Sequence, residues 1–209
     1  MTGADPARLM RFVLELRQAG ITDARVLSAL ELTSRRHYAP EHLEGLAMDD
    51  INLPLAHAQT MTRPSLVGRM LEALQTEPSH SVLEVGAGSG YQAAVLAQLS
   101  RKVTSVERWR DLAAEGRARI GAARLMRVHV HCADGAEGWP EEAPYDRIVV
   151  NAAIAAPPPA LLKQLQPGGV LLAPVQSAEG QRLMRFRNGE AEELGPAAFQ
   201  PLEAGVAEA

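Results

Sequence analysis

Three glycines, Gly86, Gly88 and Gly90, interrupt the apolar stretch SVLEVGAGSGY, and a carboxylate, Glu107, closes the next apolar run, KVTSVE. Such a turn lets backbone approach a ligand closely, and it opens onto a helical pattern whose first N–H groups are free to meet negative charge. Glu107 follows Gly90 by 17 residues and ends a second strand, where a carboxylate can accept from the two hydroxyls of a ribose. The pair therefore points to a nucleoside cofactor. A dinucleotide fingerprint wants glycine or alanine at position 91, and this chain has Tyr91. A second group of polar residues, Gln59, Thr60 and Thr62 in LPLAHAQTMTRP, offers an amide and two hydroxyls just before a helical pattern. Read locally, it is a helix start, with Thr62 as cap and Pro64 in the first turn. The same cap geometry also suits a carboxylate ligand.

These groups need elements to hold them. Apolar residues at 9, 12, 13 and 16 predict a helix over Arg8–Ala19, stopped by Gly20. Thr22 or Asp23 can cap a second helix bearing Val26, Leu27 and Leu30, and Pro40 breaks the segment after it. Leu66, Val67, Met70, Leu71 and Leu74 form another stripe. Beyond residue 79, β and α signals alternate. Strands are expected at Ser81–Val85, Lys102–Val106, Arg127–His131, Asp146–Val150, Gly169–Pro174 and Arg182–Arg187, with helices at Gln92–Leu99, Trp109–Ile120 and Pro159–Gln164 between the first five. Alternation of this kind predicts an α/β fold, a mostly parallel sheet with helices on both faces. Asn188-Gly189 between alternating arms marks a β-hairpin at its end. Gly86, Glu107, Asp134 and Asn151 all fall at carboxyl ends of strands, where such sheets bind ligands.

Composition narrows the field. The 209 residues fit one domain, read as a helical cap (1–50), a loop and helix (51–76) and a core (79–209). With 46% hydrophobic and 22% charged residues the chain can fill a core and keep a soluble surface. The net charge of −4, without a basic block, disfavours nucleic acid. Cys132, the single cysteine, excludes an internal disulfide and a cysteine zinc cluster and reads as core filler. MTGADPARLMRF lacks the apolar core of a signal peptide, and no apolar run reaches a membrane span of roughly 18 residues. A soluble, cytoplasmic, monomeric protein is expected, with the C-terminal EAGVAEA as a mobile tail.

The pattern E-x-G-x-G-x-G, with Glu84 at the strand end, resembles motif I of S-adenosylmethionine-dependent methyltransferases, a Rossmann-like fold with a seven-stranded sheet. Over nearly its whole length the chain resembles the protein-L-isoaspartate (D-aspartate) O-methyltransferases. Their loop LPxGxGQTISxP is similar to LPLAHAQTMTRP, and their YxAAxLA to YQAAVLA. Their later blocks are matched by ADGAEGWPEEAPYDRIVVNAA and PPPALLKQLQPGGVLLAPV, and their N-terminal helical segment by VLSALELTSRRHYAPEHLEGLAMDD.

The resemblance implies repair chemistry: methylation of the free carboxylate of L-isoaspartyl residues in damaged peptides and proteins, after which the ester re-forms a succinimide and part of it opens to aspartate. A carboxylate of unperturbed pKa about 4 is already ionised at neutral pH, so no general base is needed. Alignment with the sulfonium methyl is the enzyme's task, and orientation is worth up to ~7–11 kcal/mol. This accounts for a sequence with no catalytic dyad and no metal cluster. By the same resemblance Gly86, Gly88 and Gly90 lie under the methionyl group, with Glu84 shaping the turn, and Glu107 binds the ribose. Ala133, Asp134 and Gly135 meet the adenine. Gln59, Thr60, Met61 and Thr62 wrap the cofactor, with Thr60 and Thr62 presented to the substrate carboxylate. Gln181 corresponds to a glutamine that reaches the cofactor. His57 then reads as packing rather than as a base, and Trp139 as core or lid.

The chain departs from the family pattern at Ala56 and Ala58 (glycines in the loop), Thr62 (serine), Ala133 (glycine), Asn151 (threonine or glycine) and Gln176 (glycine). Alanine forced to positive φ costs about 1–2 kcal/mol, and each of these changes is expected to narrow the pocket. An O-methyltransferase of the same fold acting on a different carboxylate, and a non-catalytic binding module, are the alternatives.

Overall fold

The computed structural model describes residues 6–208; the first five residues, which open the polar N-terminal stretch, and Ala209 of the tail lie outside the described residues. Helix α1 (Pro6–Gln18) buries Phe12 and Leu16. Helix α2 (Ala24–Leu32) is capped by Asp23, which accepts from the N–H groups of Arg25 and Val26, so the aspartate and not Thr22 is the cap. Short 3-10 turns at Arg35–His37 and Glu41–Leu46 lead to a two-stranded ribbon, β1 (Leu53–Pro54) with β2 (Thr60–Met61).

Helix α3 (Pro64–Leu74) starts on Pro64 as expected, but Thr62 does not cap it. Asp50 receives the N–H of Ser65 at 2.8 Å and its hydroxyl at 2.6 Å, and Asn52 receives the N–H of Arg63. A cap supplied from the preceding loop leaves Thr62 outside the helix, in the wall of the crevice described below.

The main sheet is built from β3 (Ser81–Val85), β4 (Lys102–Glu107), β5 (Val128–Cys132), β6 (Tyr145–Val150), β7 (Leu165–Ser177), β8 (Gly180–Arg187) and β9 (Glu190–Pro196). Between them run α4 (Tyr91–Leu99), α5 (Arg110–Ala122) and α6 (Pro159–Lys163). The strand order is β5-β4-β3-β6-β7-β8-β9, parallel through β7 and antiparallel from β7 to β9. Asn188 and Gly189 turn the last hairpin with φ of +52° and +82°, the conformation that Asn-Gly favours. Strand alternation splits the interior in two. Val82, Val103, Val149 and Leu172 face one core with α1–α4, while Leu83, Val106, Ile148 and Leu171 face the other with Tyr145 and Leu161.

The C-terminal segment, expected as a mobile tail, is docked on the body of the protein through Ala207. It forms isolated parallel bridges, Ala153 with Pro201 and Trp109 with Ala207, and Arg108 pairs with Glu203. The N–H of Gly205 donates to Asp134 at 2.7 Å. The tail therefore crosses the carboxyl ends of β4, β5 and β6.

Candidate active site

At the end of β3 the N–H groups of Gly86 and Ala87 both donate to the carbonyl of Val106, at 2.8 and 3.1 Å. This folds the chain sharply back before α4. Gly86 has φ +90°, and a Cβ there would sit 3.2 Å from that of Asn151. Gly90 has φ +84° where α4 begins, and a Cβ there would meet the carbonyl of Gly116 at 3.3 Å. Side chains at either position would meet both strain and crowding.

Glu107 is buried at the end of β4. Its Oε2 accepts the N–H of Gly88 at 2.8 Å and its Oε1 that of Trp109 at 3.0 Å. Backbone donors thus orient the carboxylate beside the glycine turn. Beneath the turn lies a second acid. Glu84 is fully buried, accepts from the Ser105 hydroxyl and, at 3.2 Å, from Asn151 Nδ2. Burial pushes its carboxyl up to about 8, against the pull of those two hydrogen bonds. Asn151 also donates to the Gly86 carbonyl at 3.1 Å and accepts from Gln92 at 3.0 Å. This substituted position is a polar bridge that ties the turn, β6 and α4 together.

The loop above the turn is held from behind by Arg35. This side chain is 1% exposed and donates to the carbonyls of Ala47, Asp49, Ile51, Met61 and Thr62 at 3.0–3.4 Å. Its guanidinium finds carbonyl partners in place of a carboxylate, and burial lowers its pKa from the ordinary value. The rigid planar fork serves more carbonyls in fixed geometry than the three donors of a lysine ammonium could.

Between β1 and β2 the chain turns through His57 and Ala58, both left-handed at φ +56° and +54°, with the Gln59 N–H donating to the Ala56 carbonyl at 3.0 Å. Two consecutive positive φ values make a type I′ turn. Ala58 carries the strain expected of an alanine replacing glycine, whereas Ala56 is not at positive φ and carries none. The His57 ring stacks on Trp109, centroids 3.9 Å apart and planes 5° from parallel. Its Nε2 lies 2.7 Å from Asp111 Oδ2.

A crevice of two lobes results at the carboxyl ends of β3, β4 and β6, with Gln59, Gly86, Glu107 and Asn151 bordering both. One lobe is walled by Thr60, Met61, Thr62, Gly88, Gln92 and Phe199. The other encloses about 250 Å³ between His57, Trp109, Val106, Gly135 and the tail residues Pro201 and Leu202. A fixed carboxylate between a slot of mixed aromatic, aliphatic and polar lining and a lobe of hydroxyls and amides suits a nucleoside joined to a polar tail. A Cβ on Gly135 would lie 2.6 Å from a Val85 methyl, so that position must stay bare.

Of the residues singled out in the sequence, Gln59, Thr60, Met61, Thr62, Gly86, Gly88, Glu107 and Gly135 border the crevice. Glu84, Gly90, Ala133, Asp134 and Gln181 are not among its lining residues. Glu84 underlies the turn, Gly90 packs on Gly116, and Ala133 packs against the second core. Asp134 accepts from Ala136 N–H with one oxygen and Gly205 N–H with the other. Gln181 clamps Phe199 through both its amide atoms, at 2.7 and 2.9 Å. Gln176 bonds within the exposed hairpin and narrows neither lobe. Sequence reasoning missed Arg35, Trp109 and the tail, because none carries a periodic or motif signal.

A sequence profile described as Protein-L-isoaspartate(D-aspartate) O-methyltransferase (PCMT) matches residues 8–200. The chain belongs to this family. It is 44% identical over 209 residues to the protein-L-isoaspartate O-methyltransferase of Maricaulis maris (strain MCS10), covering 98% of each chain. It is 46% identical over 214 residues to that of Azorhizobium caulinodans, covering 99% of each. Among solved structures, one protein-L-isoaspartate O-methyltransferase superimposes with a TM-score of 0.84 at 23% identity, over 94% of this chain and 66% of that one. The PCMT of Plasmodium falciparum, in complex with S-adenosyl-L-homocysteine, does so with 0.79 at 22%, over 92% and 97%. At those identities the structures establish the fold: a Rossmann-like methyltransferase sheet with a terminal antiparallel hairpin.

Proposed function

We infer that this protein methylates the free carboxylate of L-isoaspartyl residues in damaged peptides and proteins. The observation that carries the reading is the placement of Thr60 and Thr62, from the QTMTRP loop characteristic of the family, across one crevice from the glycine turn and Glu107. The crevice suits S-adenosylmethionine in its bare glycine positions, its fixed carboxylate and the slot beside Trp109 and Leu202. When bound, that cofactor supplies an electrophilic methyl group on a sulfonium.

The chain's own residues do the rest. Glu107 would accept the ribose hydroxyls, its orientation set by the amides of Gly88 and Trp109. Gly86 and Gly88 would bring backbone close to the methionyl group. His57, Trp109 and Leu202 would close the slot over the base. Thr60 and Thr62 donate to the substrate carboxylate and aim one of its oxygens along the line of transfer. That carboxylate is ionised at neutral pH, so His57, engaged by Asp111 and Trp109, is free of any duty as a base. Residues 1–50 act as a cap, 51–76 as the substrate and cofactor loop with its helix, and 79–209 as the cofactor-binding core of one domain. The same reading takes the protein to act as a cytoplasmic monomer on peptide rather than nucleic acid, in keeping with a net charge of −4. Among the described residues no helix is long and apolar enough to cross a membrane.

The experiment is methyl transfer from labelled S-adenosylmethionine to a short isoaspartyl peptide, with the aspartyl peptide as control. Incorporation into the isoaspartyl peptide alone is expected. Cofactor binding with no incorporation would direct the activity to another carboxylate and the search for its cause to residues 56–62.

A further inference from the structure

We propose that His129, His131 and Glu142 form a binding site for a divalent transition metal ion of the zinc class, on the sheet edge away from the crevice. Alternation along β5 puts positions 129 and 131 on one face, and β5 is an edge strand of the main sheet. The 3-10 turn Pro140–Glu142 brings the carboxylate to that face. One ligand atom from each of the three residues lies within 4.8 Å of the others. His129 Nδ1 and Glu142 Oε1 are 3.3 Å apart, about the edge of a tetrahedron with metal–ligand bonds of ~2.0–2.1 Å.

Two further observations favour a ligand there. The first concerns His131, whose Nε2 is buried without a hydrogen-bond partner although the ring is fixed by stacking on Trp139, centroids 3.9 Å apart. An imidazole with unused capacity and a fixed plane is poor packing material but a prepared ligand. The second concerns Glu142. Its Oε2 is taken by the Thr104 hydroxyl and by Lys102 Nζ at 2.9 Å, which leaves Oε1 turned toward His129. Such outer partners fix the orientation of ligating carboxylates.

The donor set decides the class of ion. Two imidazoles and one carboxylate suit Zn²⁺, Ni²⁺ or Cu²⁺, whereas Mg²⁺ and Ca²⁺ take oxygen ligands almost alone. Three protein ligands leave a position for water. The Lys102 ammonium beside the carboxylate limits affinity, so an exchangeable ion is expected. Bound metal would tie β5 to the turn after Trp139. The chain between them, from Cys132 to Trp139, includes Asp134, which holds the tail, and Gly135, which borders the crevice.

Zn²⁺ is titrated calorimetrically into the full chain, into His129→Ala and Glu142→Gln, and into a His37→Ala/His42→Ala control that removes two histidines outside the cluster. The expected result is one Zn²⁺ per chain, weakened ~10-fold or more in each cluster variant and unchanged in the control. Should a cluster variant fail to fold, the Trp109→Phe protein, with Trp139 as its remaining tryptophan, is titrated with Cu²⁺. Quenching of Trp139 emission is expected there. No Zn²⁺ binding by the unaltered chain, equal binding after His129→Ala, loss in the control, or unquenched Trp139 would each overturn the proposal.

Discussion

The imidazole of His57 lies flat on the indole of Trp109, with ring centroids 3.9 Å apart and planes 5° from parallel. The contact joins the loop between β1 and β2 to the end of β4 over one lobe of the crevice. Aromatic stacking contributes ~0.5–1.5 kcal/mol beyond burial, a factor of roughly 2–10 in affinity. His57→Ala is therefore expected to raise the KM for S-adenosylmethionine by about that factor while changing kcat little. His57→Asn tolerates the left-handed φ but cannot stack on Trp109. Steady-state kinetics on both variants separate the causes: a raised KM in each assigns the effect to the imidazole, through its stack on Trp109 and its contact with Asp111, and a normal His57→Asn assigns it to the backbone.

Ala58 holds φ +54° without a glycine. Relief of about 1–2 kcal/mol of left-handed strain, less ~0.4–1 kcal/mol of added unfolded-state entropy, predicts a small net stabilisation by Ala58→Gly. Urea unfolding should show a midpoint shifted upward at constant m-value. A downward shift would mean that the turn is supported by its neighbours without strain.

Arg35 donates to five loop carbonyls from a buried position. Arg35→Met leaves those acceptors unpaired at ~1–3 kcal/mol for each that water cannot reach. A loss of several kcal/mol in denaturant unfolding is expected, along with faster proteolysis within residues 47–62. Arg35→Lys should recover only part of it, because an ammonium reaches fewer carbonyls in fixed geometry.

Burial pushes the Glu84 carboxyl up to about 8 in the folded protein, above its unfolded value. Between about pH 4.5 and 8 the native state holds the proton and the unfolded chain has lost it, so this group makes stability fall as pH rises. The contribution is present in full below the unfolded pKa, lost progressively through this window, and flat above the folded pKa. Glu84→Gln removes the titration. Subtracting its stability–pH curve from that of the unaltered protein should isolate a slope approaching −1.4 kcal/mol per pH unit within the window. Parallel curves would place the proton elsewhere.

Thr62 and Glu107 border the same crevice but have different tasks in the proposed reaction. Thr62→Ala should lower kcat for the isoaspartyl peptide by ~10-fold or more through lost orientation, with cofactor binding kept, and Thr62→Ser should restore it. Glu107→Ala should weaken cofactor binding itself, read by equilibrium titration. A Thr62→Ala enzyme of undiminished rate would remove that hydroxyl from the mechanism.

Much of this protein is legible in its residue order, for local reasons. Glycines at 86, 88 and 90 announce a turn that few other residues can make, and Glu107 ends a strand that only its apolar run defines. Asn188-Gly189 specifies its hairpin by intrinsic φ preference. Strand and helix positions follow from periodicity, so β3 to β6 lie within a residue or so of expectation. Tertiary structure decided what periodicity cannot carry. Arg35 looks like any surface arginine until five carbonyls surround it, and the C-terminal segment has no pattern because its partners lie across the sheet. Asp134 has the type expected of an adenine acceptor, yet Gly205 comes to one of its oxygens only when the tail folds back. Thr62 reads as a cap because a cap is a local solution, and Asp50 took that place from another loop. Sequence spacing determined which groups stand at the ends of strands; which of them face the crevice was settled by long-range contacts, whose energies depend on distances that spacing along the chain does not contain.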